Sequence, residues 1–150
     1  MRMSRTDHSH LPLPPSQDGA AAVLPLEQAA RRNRDYRRVI LTGNQMQATL
    51  MCIPPRESIG LEMHAKADQL LYIVEGHGMV RMGQDRCTDP LNEQAVYPGA
   101  AIFVPAATWH NLYNTGARPL RLFSLYAPPQ HPHGSVAPSK HEEPAADREE

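Results

Sequence analysis

The chain has 150 residues, 41% of them apolar, and a formal net charge of −1 at pH 7. That length suits one compact domain, the near-neutral charge gives no general attraction to nucleic acid or a membrane surface, and no apolar run approaches the ~20 residues that cross a bilayer. The expectation is a cytoplasmic protein with one core and with neither nucleic acid nor membrane as partner.

Residues 1–22 include HSHLPLPPSQDG, a mixture that can bury little, and are read as a disordered N-terminal tail. The AAAVLPL run at 20–26 is short, contains Pro25 and follows a polar stretch, which argues against a signal peptide. Leu26 to Arg38 reads as a short helix and an approach segment, with Glu27 near its start. Its five arginines, in RRNRDYRR, could grip a phosphate, but a solvated face is the simpler reading.

After the turn Thr42-Gly43-Asn44, strand patterns follow at Gln47–Ile53, Ile59–His64, Gln69–Glu75, Met79–Met82, Val96–Tyr97, Ala101–Val104, Trp109–Tyr113 and Leu120–Ala127. Pro54-Pro55, Gly76-His77-Gly78, Pro98-Gly99 and Thr115-Gly116 separate them with turn chemistry. Eight short strands make an all-β fold, a small barrel or jelly roll carried by a single domain at 23–133. From Pro128 onward the chain turns proline-rich and then charged, so it is expected to wrap the barrel briefly and to end as a flexible charged C-terminal tail at 134–150. Cys52 reads as a small buried hydrophobe and Cys87 as a loop thiol, with no CxxC pair for a thiolate site.

The chemistry concentrates in two segments. Glu62-x-His64-x4-Gln69 is followed by Gly76, and Gly99-x5-Pro105-x-Ala107-x2-His110-x3-Asn114 adds a second imidazole. Glu62 and His64 are two residues apart, so on a strand both project from one face while Leu61 and Met63 project from the other. A carboxylate, an amide oxygen and two imidazoles form a mixed N/O set for one divalent transition metal ion per chain, Mn, Fe, Ni, Co or Zn. Glu62 is either a ligand or a general base next to the ion. His131 and His133 resemble a metal pair but lie in a Pro/Gly stretch and are read as loop residues.

These two segments resemble the motifs of the cupin superfamily, which run approximately G-x5-H-x-H-x3-4-E-x6-G and G-x5-P-x-G-x2-H-x3-N. Gly99, Pro105, His110 and Asn114 meet the second, with Ala107 where glycine is usual. In the first, Arg56 replaces the opening glycine, Glu62 the first histidine and Gln69 the glutamate, while His64 and Gly76 match. The resemblance covers about residues 36–133 and extends to single-domain bacterial cupins of the mannose-6-phosphate-isomerase-like kind. It implies a small RmlC-like jelly-roll barrel with a short N-terminal helix, a homodimer paired through an outer sheet with an edge near 36–53, and Glu62, His64, Gln69 and His110 as metal ligands. It also implies non-redox isomerase, epimerase or lyase chemistry on a small oxygen-rich substrate. An Fe(II) dioxygenase and a metal-holding binding module without turnover are the competing functions.

Among the remaining residues, Lys66 reads as solvated, Asn114 as a turn-fixing side chain, and Gly76, Gly78 and Gly99 as tight-turn glycines. Leu71, Ile73, Phe103 and Leu112 are candidates to line the cavity. Trp109, opposite in parity to His110, belongs on an outer face, and Tyr126 could bring a hydroxyl to the barrel mouth.

Overall fold

A computed structural model describes residues 17–85 and 92–143; Cys87 lies outside them. In chain order the elements are β1 (Gln17–Asp18), α1 (Leu26–Arg32), β2 (Arg37–Thr42), β3 (Gln47–Ile53), β4 (Asp68–Glu75), β5 (Gly78–Gly83), β6 (Glu93–Val96), β7 (Ala101–Val104), β8 (Trp109–Asn114), β9 (Leu120–Ala127) and β10 (Val136–Ala137), with a final 3₁₀ turn at Lys140–Glu142. They form two sheets, one running β1-β2-β3-β9-β4-β7 with β10 also on β2, the other β6-β5-β8. The packed antiparallel sheets make a jelly roll, as the strand pattern predicts. No helix among the described residues is long and apolar enough to cross a membrane.

Strand parity explains how both faces of the large sheet are used. On β3, Gln47, Thr49, Met51 and Ile53 point between the sheets, while Ala48 and Leu50 point outward and pack with Ala29 and Ala30 of α1. Cys52, on the outward parity, is partly rather than fully buried. Phe103 also faces out, 58% exposed, so it does not line the cavity, whereas Leu71, Ile73 and Leu112 belong to the inner core.

The inner face divides along the strands. Register places Gln47 opposite Tyr126 and Tyr126 opposite Gln69, then Thr49, Ser124 and Leu71, then Met51, Leu122 and Ile73, and finally Ile53 with Leu120. Successive rungs therefore pass from polar to wholly apolar. The apolar end carries the core, and the polar end is where a site can form without sacrificing it.

Three local features differ from the sequence reading. Arg37 and Arg38 begin strand β2 instead of continuing an approach segment, and the outer edge of β2 is paired by β1 at Leu41 and Thr42 and by β10 at Arg37 and Arg38. The unpaired edge expected near 36–53 is thus covered there. The chain also builds structure past residue 133, since Val136–Ala137 completes that pairing.

Ile59–His64 is not a continuous strand. It touches β8 through two isolated bridges, Ser58 with Tyr113 and Glu62 with His110. Four steps on one side span three on the other, and Gly60 at φ +85° absorbs the extra residue.

Two non-glycine residues hold a left-handed backbone, Arg56 at φ 66° and Ala107 at φ 62°. Both stand at positions where the cupin motifs usually have glycine. A Cβ there costs on the order of 1 kcal/mol. Arg56→Gly and Ala107→Gly should each raise the midpoint of thermal unfolding by a few degrees, about 1 kcal/mol apiece; a lower midpoint for both would show that side-chain contacts outweigh the strain.

Candidate metal centre

The Glu62–His110 bridge builds the centre. Each residue's backbone N–H donates to the other's carbonyl, at 2.9 Å in both directions, and in such a reciprocal antiparallel pair the side chains emerge on the same side. His64 follows two residues later, its carbonyl accepting from the Ala107 N–H at 2.8 Å. Asp68 Oδ1 accepts from the Ala106 N–H at 2.9 Å, which ties the Pro105–Ala107 turn to the start of β4. The two motif segments are thereby locked together by backbone bonds, and their side chains converge.

Glu62 Oε2 lies 3.8 Å from His64 Nε2 and 4.0 Å from His110 Nε2. Ligand atoms of these three residues lie within 4.8 Å of one another, close enough to hold one metal ion. His110 Nδ1 is 3.1 Å from the Thr108 carbonyl. A carbonyl only accepts, so Nδ1 carries the proton and Nε2 keeps its lone pair, the orienting arrangement typical of metal-binding imidazoles. Burial pulls the His64 imidazole down to about 4 and lowers that of His110 as well, outweighing the nearby Glu62 charge. Both rings are therefore neutral at pH 7, the form in which histidine binds a metal.

Buried polar atoms test the fit. Glu62 Oε2, both ring nitrogens of His64, His110 Nε2 and Gln69 Oε1 are buried without a hydrogen-bond partner among the described residues. Orphaned buried groups of this kind cost roughly 1–3 kcal/mol each. One His64 nitrogen carries the ring proton; the others are acceptor atoms of carboxylate, imidazole and amide, the donor set that a borderline divalent ion takes. Gln69 is buried in the rung beside Tyr126, and its Nε2 donates to Ser124 Oγ at 2.9 Å, which commits the amide nitrogen and leaves the oxygen for a ligand.

The sequence matches the model of the cupin domain family over residues 49–126, just over half of the chain. The chain is a cupin. This cupin is 46% identical over 126 residues to the protein YrkC of Bacillus subtilis (strain 168), an alignment covering 83% of this chain and 67% of YrkC. It is 31% identical over 122 residues to protein L612 of Acanthamoeba polyphaga mimivirus, covering 81% and 74% respectively. Among solved structures, BH2720 from Bacillus halodurans superposes with a TM-score of 0.78 at 48% identity, over 82% of this cupin and 92% of that chain.

Several residues of the centre escaped the sequence reading. Arg37 is among the five arginines first read as solvated, yet its side chain is only 4% exposed and its Nη2 lies 3.7 Å from Glu62 Oε1. The signal was its two-residue spacing from Val39 within a strand. His131, first read as a loop residue, is buried with its ring 5.0 Å from that of Tyr126, which in turn sits 5.4 Å from His64. Gln47 holds it there: Oε1 accepts from the Gln130 and His131 N–H groups, and Nε2 donates to the His131 carbonyl at 2.8 Å. No pattern local to PPQHPHG encodes that clamp. Tyr126 is fully buried inside the barrel, deeper than the mouth position expected. Asn114 does fix its turn, bonding the carbonyls of Ile53 and Arg118 and the Gly116 N–H.

Proposed function

We propose that this cupin is a divalent-metal enzyme of non-redox type, an isomerase, epimerase or lyase, acting on a small oxygen-rich substrate. Glu62, His64, Gln69 and His110 hold the ion, and Glu62 doubles as the acid/base group. The observation that carries the reading is the buried convergence of one carboxylate with two neutral imidazoles, in reach of a single ion. A bound divalent ion supplies a Lewis acid that polarises substrate oxygens and lowers the pKa of bound water.

The protein's own groups do the rest. The Arg37 guanidinium and the two histidines orient the Glu62 carboxylate from opposite sides, so that Oε2 faces the imidazoles and Oε1 faces Arg37. Oε1 is the oxygen that takes up and returns a substrate proton. Thr108 holds His110 in the tautomer that presents Nε2, and Ser124 holds the Gln69 amide. An amide in place of a second carboxylate would leave a bound ion more positive and so better able to polarise substrate oxygens, and the resemblance to mannose-6-phosphate-isomerase-like cupins leans the same way.

One observation favours a second reading. Two histidines and one carboxylate within reach of one ion are also the ligand set of non-haem Fe(II) oxygenases. Elemental analysis of protein purified without added metal, followed by assays on a panel of hydroxy and keto acids and sugars, separates the two. The expected result is one Mn, Ni, Co or Zn per chain and turnover that persists under anaerobic conditions. Iron with substrate-dependent oxygen uptake would transfer the assignment to the dioxygenase. No retained ion and no turnover would leave a binding module.

A further inference from the structure

Arg37 has a second carboxylate partner, Glu143, whose Oε1 pairs with Arg37 Nη1. Both side chains are almost fully withdrawn from solvent, 4% and 5% exposed. The same guanidinium faces Glu62, and its charge acts on His64, His110 and His131 alike. A carboxylate from the C-terminal segment is therefore placed against the proposed metal centre, on the one buried cation described there.

The segment that delivers it is fastened at its root and lightly held at its tip. Val136 and Ala137 pair with Arg38 and Arg37, the Tyr36 N–H bonds the Pro138 carbonyl, and the Val39 N–H bonds the Ser135 carbonyl. Past Pro138 the bonds back to the barrel are made by side chains, Lys140 Nζ to the Ser58 carbonyl at 2.9 Å and then Glu143 itself. Ser139 and Glu142 close a capping box on each other, so Glu142 is spent inside the turn and only Glu143 reaches Arg37.

We propose that Arg37 is an anion subsite of this centre, that Glu143 occupies it while no ligand is bound, and that a small carboxylate displaces Glu143 to bind there. Arg37 is nearly fully buried, and two carboxylates, Glu62 and Glu143, compensate its charge. Removing Glu143 without replacement takes away one of them and weakens that compensation, which is unfavourable for a buried guanidinium. A ligand carboxylate restores the balance, and guanidinium presents the fork that suits it. The substrate class is thus a small organic acid whose carboxylate meets Arg37. That its other oxygens meet a metal rests on the reading above; the carboxylate subsite does not.

The test is calorimetric titration of acetate into the full chain after EDTA treatment, with acetamide as the neutral control. Acetate should bind Glu143→Gln about tenfold more tightly than wild type, since the resident competitor is gone. Glu142→Gln should match wild type, Arg37→Met should abolish binding, and acetamide should bind none of them. Equal acetate affinity in wild type and Glu143→Gln overturns the proposal, and that comparison holds even if Arg37→Met does not fold. Zinc content, measured separately on the same preparations, keeps the two readings apart. Tighter acetate binding without zinc uptake retains the subsite and sinks the metal centre, and zinc uptake with unchanged acetate affinity does the reverse.

Discussion

His64→Gln and His110→Gln should each lower affinity for a divalent ion by more than about 100-fold, because loss of even an orienting partner outside the ligand set costs 10–100-fold. Glutamine keeps most of the buried volume, so cavity formation contributes little. The readout is thermal unfolding of EDTA-treated protein with and without added Ni(II) or Zn(II). With the ion at a hundred times its dissociation constant, wild type should gain about 2.7 kcal/mol and the variants nearly nothing. Gln69→Ala should lose less, since a neutral amide contributes less than imidazole or carboxylate. Wild-type stabilisation by metal that survives in both histidine variants would place the ion elsewhere and remove the basis of the proposed activity.

The effect rests on neutrality enforced by burial. Glu62 raises the proton affinity of both rings, but desolvation is the larger influence on each. An imidazole kept neutral at pH 7 offers its lone pair without first losing a proton. Arg37 works in the same direction on both rings.

Much of this was legible in the chain because the information is local. Gln47–Ile53, Ala101–Val104 and Leu120–Ala127 form strands with the bounds their apolar and turn patterns predict. Glu62, His64 and His110 were readable because parity and motif spacing are short-range properties, and the Glu62–His110 bridge brings them together. Ile59–His64 fails as a strand because Gly60 breaks the extended backbone, a fact about φ that composition suggests only weakly. For Arg37 parity with Val39 marks only an inward face and not its partners, and for His131 and Glu143 no local pattern marks even that. Each is buried by a partner distant in sequence: Glu62 for Arg37, Gln47 for His131 and Arg37 for Glu143. Arginine, histidine and glutamate are ordinarily surface residues, so composition points away from their actual positions.

The same three buried imidazoles should make the metal-free protein lose stability steeply below neutral pH. Burial lowers His64 to about 4 and His131 to about 2, with Arg37 and His64 adding to the shift of His131, and it lowers His110 in the same direction. In the unfolded chain each titrates near 6.5. Below that pH the unfolded state binds protons that the folded state refuses, so folding is disfavoured progressively as pH falls from 6.5 toward each folded value. An imidazole that stays neutral down to pH 5 costs about 2 kcal/mol between pH 7 and 5. His64 and His131 together therefore remove about 4 kcal/mol, and His110 adds to the loss, against a total of about 5–15 kcal/mol for a domain. Carboxylates titrate mostly below this window and do not mask it. Urea unfolding of EDTA-treated protein at pH 7 and pH 5 measures the difference, and His131→Gln should reduce it by one imidazole's share. Equal stability at the two pH values would mean that the histidines accept protons in the folded barrel, and the neutral ligand set argued for the metal centre would go with it.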